Sequence, residues 1–274
     1  MIAPVLATAA TEYRIALRNR WVLIATLLML LFSLVLAAAG AAPTGDVGVD
    51  RLSITVASLT SLAVYLVPLL ALLMSFDAIA GETERGTLPL LLTYPVSRLQ
   101  ILLGKLVAHL GVLTLAVALG YGAAALAAFL FDSSAMEGLP ALWRLLWSSA
   151  LLGATFLGAG YALSSLSRRP SGAAGLAIGL WLGLVVLYDL GLLAMIVSDG
   201  GGQFTTEFLP VALLANPADA FRLFNLTASE AAAAAGGVGG AAGSIPLWQS
   251  LTSVALWPLL ALALAWAAFR KVTP

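Results

Sequence analysis

The sequence predicts an all-α membrane protein with six transmembrane helices, and three observations carry that prediction. The chain of 274 residues is 61% hydrophobic and 9% charged, whereas an ordinary soluble domain carries about 25% charged residues. A soluble fold could not hide that much apolar surface. Six apolar runs, approximately 21–40, 54–76, 106–131, 145–166, 172–197 and 247–269, have the length of about 20 residues that a helix needs to cross a hydrocarbon core. Basic residues also gather on alternate loops. Helices are the expected spans, because open strands would leave backbone groups unpaired in hydrocarbon.

Ahead of the first span, Leu6, Ala10, Tyr13, Leu17 and Trp21 recur at three- and four-residue spacing while Glu12, Arg14, Arg18 and Arg20 occupy other faces. Residues 1–20 therefore read as an amphipathic helix lying in the inner interface, an elbow into the first span; the plainer reading is a basic tail that only signals topology. The small residues Ala37, Ala38, Ala39, Gly40 and Ala41 suggest a signal-peptidase site. The preceding run exceeds the roughly 7–15 residues of a signal h-region, so it is expected to stay uncleaved.

Residues 77–105 form the longest loop on the predicted inner side. Gly81 and Gly86 bracket Glu82, Thr83, Glu84 and Arg85 in a charged turn, after which Thr87 caps a short helix that accommodates Pro89 in its first turn. Pro95 forces Tyr94 out of the helical region and ends that helix. Ser97 and Gln100 form a capping box for the helix that becomes span three. The predicted result is a short apolar helix, held against the membrane surface between two turns.

Spans four and five are joined by Ser167, Arg168, Arg169, Pro170 and Ser171, a basic turn that is either an anchor or a partner contact. In span five, Gly175, Gly179 and Gly183 recur every fourth residue and present a smooth face for close helix packing, against the same chain or a second copy. Residues 198–246 form the large external piece. Residues 204–226 read as one or two short helices on the outer interface, and the Ala/Gly tract 231–243 as a linker.

An inside N-terminus places Arg14, Arg18, Arg20, Arg85, Arg98, Lys105, Arg168, Arg169, Arg270 and Lys271 inside, and leaves Arg51, Arg144 and Arg222 outside. The positive-inside rule then predicts that both termini are cytoplasmic. Asp46, Asp50, Asp132, Glu137, Asp199, Glu207, Asp219 and Glu230 fall outside. The net charge is zero and cysteine is absent, so neither a nucleic-acid partner nor disulfides or thiolate metal ligands are expected.

No phosphate-binding loop, dinucleotide fingerprint or paired His/Cys spacing is present. The chain is expected to bind no metal or cofactor of its own and not to be an enzyme. His109, the one histidine, reads as a packed or interfacial residue, and Met136 and Met195 are too scattered to form a copper path. Asp189 lies within span five beside Tyr188, where a carboxylate costs roughly 2.5–3.5 kcal/mol near mid-membrane. It is either a substrate-path or proton-relay group, or a carboxylate that reaches toward the outer surface or is hydrogen-bonded to a neighbouring helix. The first role would suit an ATP-independent secondary transporter or channel.

The stretch Gly81, Glu82, Thr83, Glu84, Arg85, Gly86, Thr87, Leu88, followed by Leu91, Leu92, Thr93, Pro95, Val96, Ser97, Arg98, Gly104 and Lys105, resembles the cytoplasmic loop of type-2 ABC exporter permeases. That resemblance implies the type-2 permease fold with an elbow helix, and a coupling segment docking on a separate ATPase that binds MgATP. Gly81, Glu82, Glu84, Arg85, Gly86, Thr87, Leu88 and Pro95 are the implied coupling residues. Pro89 departs from the acidic or polar residue of many relatives. Asn216, Pro217, Ala218, Asp219, Ala220, Phe221 and Arg222 resemble the permeases of nitrous oxide reductase maturation in denitrifying bacteria. This second resemblance implies a homodimer in the bacterial inner membrane with a NosF-like ATPase and a NosD-like periplasmic protein. It also implies a role in copper-centre assembly, with Asn216, Pro217, Asp219, Phe221 and Arg222 touching the periplasmic partner.

Overall fold

Alternating helices and short turns account for nearly all of the chain in the computed structural model, which describes residues 2–40, 51–131, 133–227 and 245–272. Helix α1 (Ile2–Leu17) leads into α2 (Arg20–Gly40), followed by α3 (Arg51–Ser75) and two short helices, α4 (Ala80–Glu84) and α5 (Thr87–Thr93). Next come α6 (Arg98–Phe131), a 3-10 turn at Ser133–Gly138, and α7 (Leu139–Leu166). Helix α8 (Pro170–Trp181) passes through a π-helical turn (Leu182–Leu187) into α9 (Tyr188–Asp199). A second π turn (Phe204–Phe208) precedes α10 (Leu209–Ala215), α11 (Pro217–Thr227) and α12 (Leu247–Phe269). No strand occurs among the described residues.

Among the described residues five helical stretches are long and apolar enough to cross a membrane, or six when the pair α1–α2, bent by 68°, is counted as one span. Two spans begin earlier than the apolar runs suggested, at Arg98 and Leu139, because local capping acts ahead of the hydropathy. The Ser97 backbone N–H donates to Gln100 Oε1 at 2.8 Å, and the Gln100 N–H donates to Ser97 Oγ at 3.2 Å, the reciprocal box predicted. In α7, a proline sits within the first turn, where a missing N–H loses nothing.

Helix α7 is the centre of the bundle, packed along α12 and α3 and also touching α6, while α6 lies between α1 and α2. Close approach is purchased with glycine in α6 and α7. A Cβ at Gly158 would stand 2.9 Å from Ala261 Cβ, and one at Gly104 would stand 2.6 Å from Thr8 Cβ. The glycine face of span five does not serve this purpose within the chain. A Cβ at Gly175, Gly179 or Gly183 would meet nothing within 4 Å, because α8–α9 runs at the periphery and only 6% of its most apolar window is buried.

Residues 2–17 are helical, but α1 turns a different face inward from the one the spacing suggested. Ala9 and Ala16 are buried, whereas Leu6 and Leu17 are 57% and 50% exposed. Small side chains allow α1 to lie close to α6, and its leucines are left exposed. Both ends of the described chain meet at one end of the bundle. Arg98 Nη1 donates to the carbonyls of Phe269 at 2.6 Å and Val272 at 2.7 Å, and Glu12 of α1 reaches Lys105 of α6.

At the opposite end, α11 packs against α3, α7 and α12 instead of lying on an outer surface. Phe221 is 0% exposed, and Phe224 stacks edge-on against Trp147 with centroids 5.3 Å apart. The predicted linker 231–243 and Asp46, Asp50, Asp132 and Glu230 lie outside the described residues.

Candidate functional site

Residues 77–105 supply the first candidate surface, at the end of the bundle that carries the termini. The opening N–H groups of a helix lack internal partners, and here the Ile79 and Ala80 N–H groups donate to Ser164 Oγ of α7 at 3.0 and 2.9 Å. The start of α4 is thereby fixed to the central helix. Gly86 has φ +69°, a left-handed conformation that suits glycine, and it turns the chain sharply between α4 and α5. Gly86, not Thr87, occupies the cap position of α5; Thr87 is its first helical residue and donates through Oγ1 to the Glu82 carbonyl at 3.2 Å. Tyr94 is extended (φ −72°, ψ 153°), as Pro95 requires.

This geometry divides the predicted coupling residues. Glu84, Arg85, Gly86, Thr87 and Pro95 are exposed. Gly81 and Leu88 are buried, and Glu82 turns inward to Lys105; these three hold the segment in place and present little of themselves to a partner. The exposed surface gains Pro89, Leu90 and Tyr94, with Leu90 65% and Tyr94 66% exposed. Apolar side chains raised on a rigid helical turn suit insertion into a pocket of another protein.

Beneath that surface lies a charge cluster that pattern reading missed. Lys105 Nζ donates to Glu12 Oε1 at 2.5 Å and to Glu82 Oε1 at 2.6 Å, with the lysine side chain only 2% exposed. His109 Nε2 stands 3.9 Å from Glu12 Oε2, and its Nδ1 lies 2.8 Å from the Tyr161 hydroxyl. A cavity of about 330 Å³, lined by Asn19, Asp77, Arg85 and these acidic and basic groups in one part and by apolar side chains such as Leu73 and Phe76 in the other, adjoins the cluster. The available clue was a lysine inside a long apolar helix opposite the single acid of α1. No local spacing pairs residues 93 positions apart.

The second candidate site is at the other end. Asp189 is not an isolated carboxylate. Arg222 Nη2 donates to Asp189 Oδ2 at 2.8 Å, and Arg222 Nη1 donates to Asp219 Oδ1 at 3.1 Å. Asp219 is 2% exposed, and its Oδ2 has no hydrogen-bond partner among the described residues. Burial, reinforced by the neighbouring Asp189 and opposed by Arg222, pushes the Asp219 carboxyl up to about 8.

Asn216 Nδ2 donates to the Leu184 carbonyl at 2.6 Å, inside the π turn of span five, where i→i+4 bonding is interrupted. Its Oδ1 accepts from the Ala218 N–H at 2.9 Å. Asn225 and Ser148 exchange hydrogen bonds across α11 and α7. The expectation that Asn216, Pro217, Asp219, Phe221 and Arg222 face an external partner is therefore corrected. Asn216, Pro217, Asp219 and Phe221 are buried and Arg222 is partly so, because their polar groups satisfy the inner surface of the same chain.

Among the described residues no group of three or more His, Cys, Asp and Glu side chains could hold a metal ion. Comparison with known proteins matches residues 6–272 to the family of ABC-2 family transporter proteins. A relative from Pseudomonas aeruginosa, named probable ABC transporter permease protein NosY, is 49% identical over 270 residues, covering 96% of each chain. Another of the same name from Stutzerimonas stutzeri is 45% identical over 270 residues, again covering 96% of each.

Proposed function

The chain belongs to the ABC-2 transporter family, and from that premise we propose that it is the permease subunit of an ABC transporter whose α4–α5 surface docks on a separate ATPase. The observation that carries the reading is the exposed Glu84–Pro95 edge standing on a buried, hydrogen-bonded base. A docking element must be accessible on one side and stiffly joined to the spans on the other, since a floppy contact would absorb displacement instead of passing it on.

In this reading two copies of the chain sit in the bacterial inner membrane with both termini cytoplasmic, as the basic loops favour. A NosF-like ATPase binds MgATP, and nucleotide-driven closure moves the α4–α5 surfaces and shifts the spans toward another state. The names of the relatives support a place in nitrous oxide reductase maturation, with a NosD-like periplasmic protein as the outer partner and copper-centre assembly as the outcome. Contact with that partner falls to exposed residues such as Glu207, Phe208 and Val211, since Phe221 and its neighbours are enclosed. The gradient-driven alternative through Asp189 loses its motive, because Arg222 already compensates that charge.

The test is co-purification of the tagged chain with the ATPase encoded beside it. Wild type is expected to bring down the ATPase in stoichiometric amount, while Glu84→Lys and a Gly/Ser replacement of 81–95 lose it. Retention of the ATPase by the replaced loop would refute docking through this segment.

A further inference from the structure

We infer that Lys105 is a positioning residue that joins the α4–α5 surface and helix α1 to the start of α6, so that the three are displaced together. The inference deepens the proposed function and rests on its reading of α4–α5 as the docking surface. Three elements far apart in the chain converge on one ammonium: Glu12 from α1, Glu82 from α4, and Lys105 itself from α6. Lysine has three donors in a compact, rotatable head, so one group can hold two carboxylates that approach from different helices.

The remaining attachments of the segment explain why this tie matters. Ser164 fixes the first N–H groups of α4 to α7, and Leu88 of α5 is buried in the core. Glu82, between these two points, is among the described residues the one polar side chain of α4 that ties the segment to α1 and α6. The other ion pair on the segment, Arg85 with Asp77, has both side chains exposed (58% and 41%), where such pairs contribute little. Helix α1 is drawn close enough to share the ammonium because Gly104, one residue before Lys105, admits Thr8 and the Val5 carbonyl. Replacement of Lys105 therefore releases α4 from α1 and α6 and loosens it between Ser164 and Leu88, while leaving the exposed docking residues unchanged.

The absence of native cysteine permits labelling without background substitutions. In the full chain in nanodiscs, spin labels at Thr11→Cys on α1 and Glu84→Cys at the end of α4 report the tie directly. The expected distance distribution is narrow with Lys105, and about twofold or more broader in Lys105→Gln. In the complex, a separate single-cysteine chain at Gln203→Cys, on the opposite end, reports maleimide labelling with and without MgATP. Lys105→Gln is expected to retain the ATPase and its hydrolysis while losing the nucleotide-dependent change in labelling rate, an uncoupling that general destabilisation does not produce.

If Lys105→Gln folds poorly, the neutral variant Glu12→Gln/Glu82→Gln/Lys105→Gln removes stranded charge and takes its place in both measurements. An unchanged distance distribution, or an intact nucleotide response in either variant, overturns the inference. Failure of the wild-type chain to bind the ATPase overturns the docking reading instead, and the distance distribution alone then judges whether Lys105 ties α1 to α4.

Discussion

Each end of the bundle holds one cation between two acidic side chains, yet the two arrangements differ in burial and in what they join. At the end carrying the termini, Lys105 is 2% exposed and unites α1, α4 and α6; at the other, Arg222 is 23% exposed, and its partners are Asp219 in its own helix and Asp189 of α9. The comparison teaches that similar charge chemistry can serve as an enclosed joint of three helices in one place and as a less enclosed clasp of two in another. Burial makes the first dependent on complete pairing, since a buried charge without its partner remains desolvated. Arg222 is less enclosed by protein than Lys105.

Breaking the buried joint is expected to produce the larger effect. Lys105→Met leaves Glu12 and Glu82 facing each other without a cation, a loss of about 3–5 kcal/mol for a broken buried pair. Thermal unfolding in detergent, followed by tryptophan fluorescence, should place its midpoint below that of any single variant at the Arg222 site. Arg222→Met is expected to be milder, about 1–3 kcal/mol, because the Arg222 cluster is less enclosed than that of Lys105. Equal midpoints for the two variants would remove the distinction between joint and clasp.

The smallest expected effect sharpens the comparison through pH. The Asp219 carboxyl, raised from 3.8 to about 8 in the folded chain, binds its proton more tightly there than when unfolded. Its contribution to stability is thus fully present below 3.8 and is lost as pH rises toward and through about 8. Wild type should unfold at progressively lower temperature across that window, with a shallower slope in Asp219→Asn. Identical slopes would mean that Asp219 gains no proton on folding.

Local features were legible in the sequence because they depend on neighbours a few residues apart. Ser97 and Gln100 start a helix, Pro95 ends the one before it, and the glycine at 86 turns the chain between α4 and α5, all through backbone geometry read within a turn. Hydropathy located the spans for the same reason, since crossing a bilayer is a demand on length and composition. Legibility ended where a side chain chooses among distant neighbours. The glycine repeat of span five suggested close packing against the same chain or a second copy; within the chain α8–α9 is peripheral, and Gly104 and Gly158 are the glycines that admit neighbouring helices. Asp189 left two readings open, and Arg222, 33 residues away, supplied its partner.

By itself the sequence determined that this is a helical, multi-pass membrane protein with a sharply turned, charged segment between its second and third spans, because the bilayer and the backbone act on every residue locally. Only the tertiary structure decided which acids hold Lys105, which face of α1 turns inward, and that Phe221 and Asn216 are enclosed. Those outcomes depend on helices meeting across long stretches of chain, and a buried polar group takes whatever partner that meeting brings within reach.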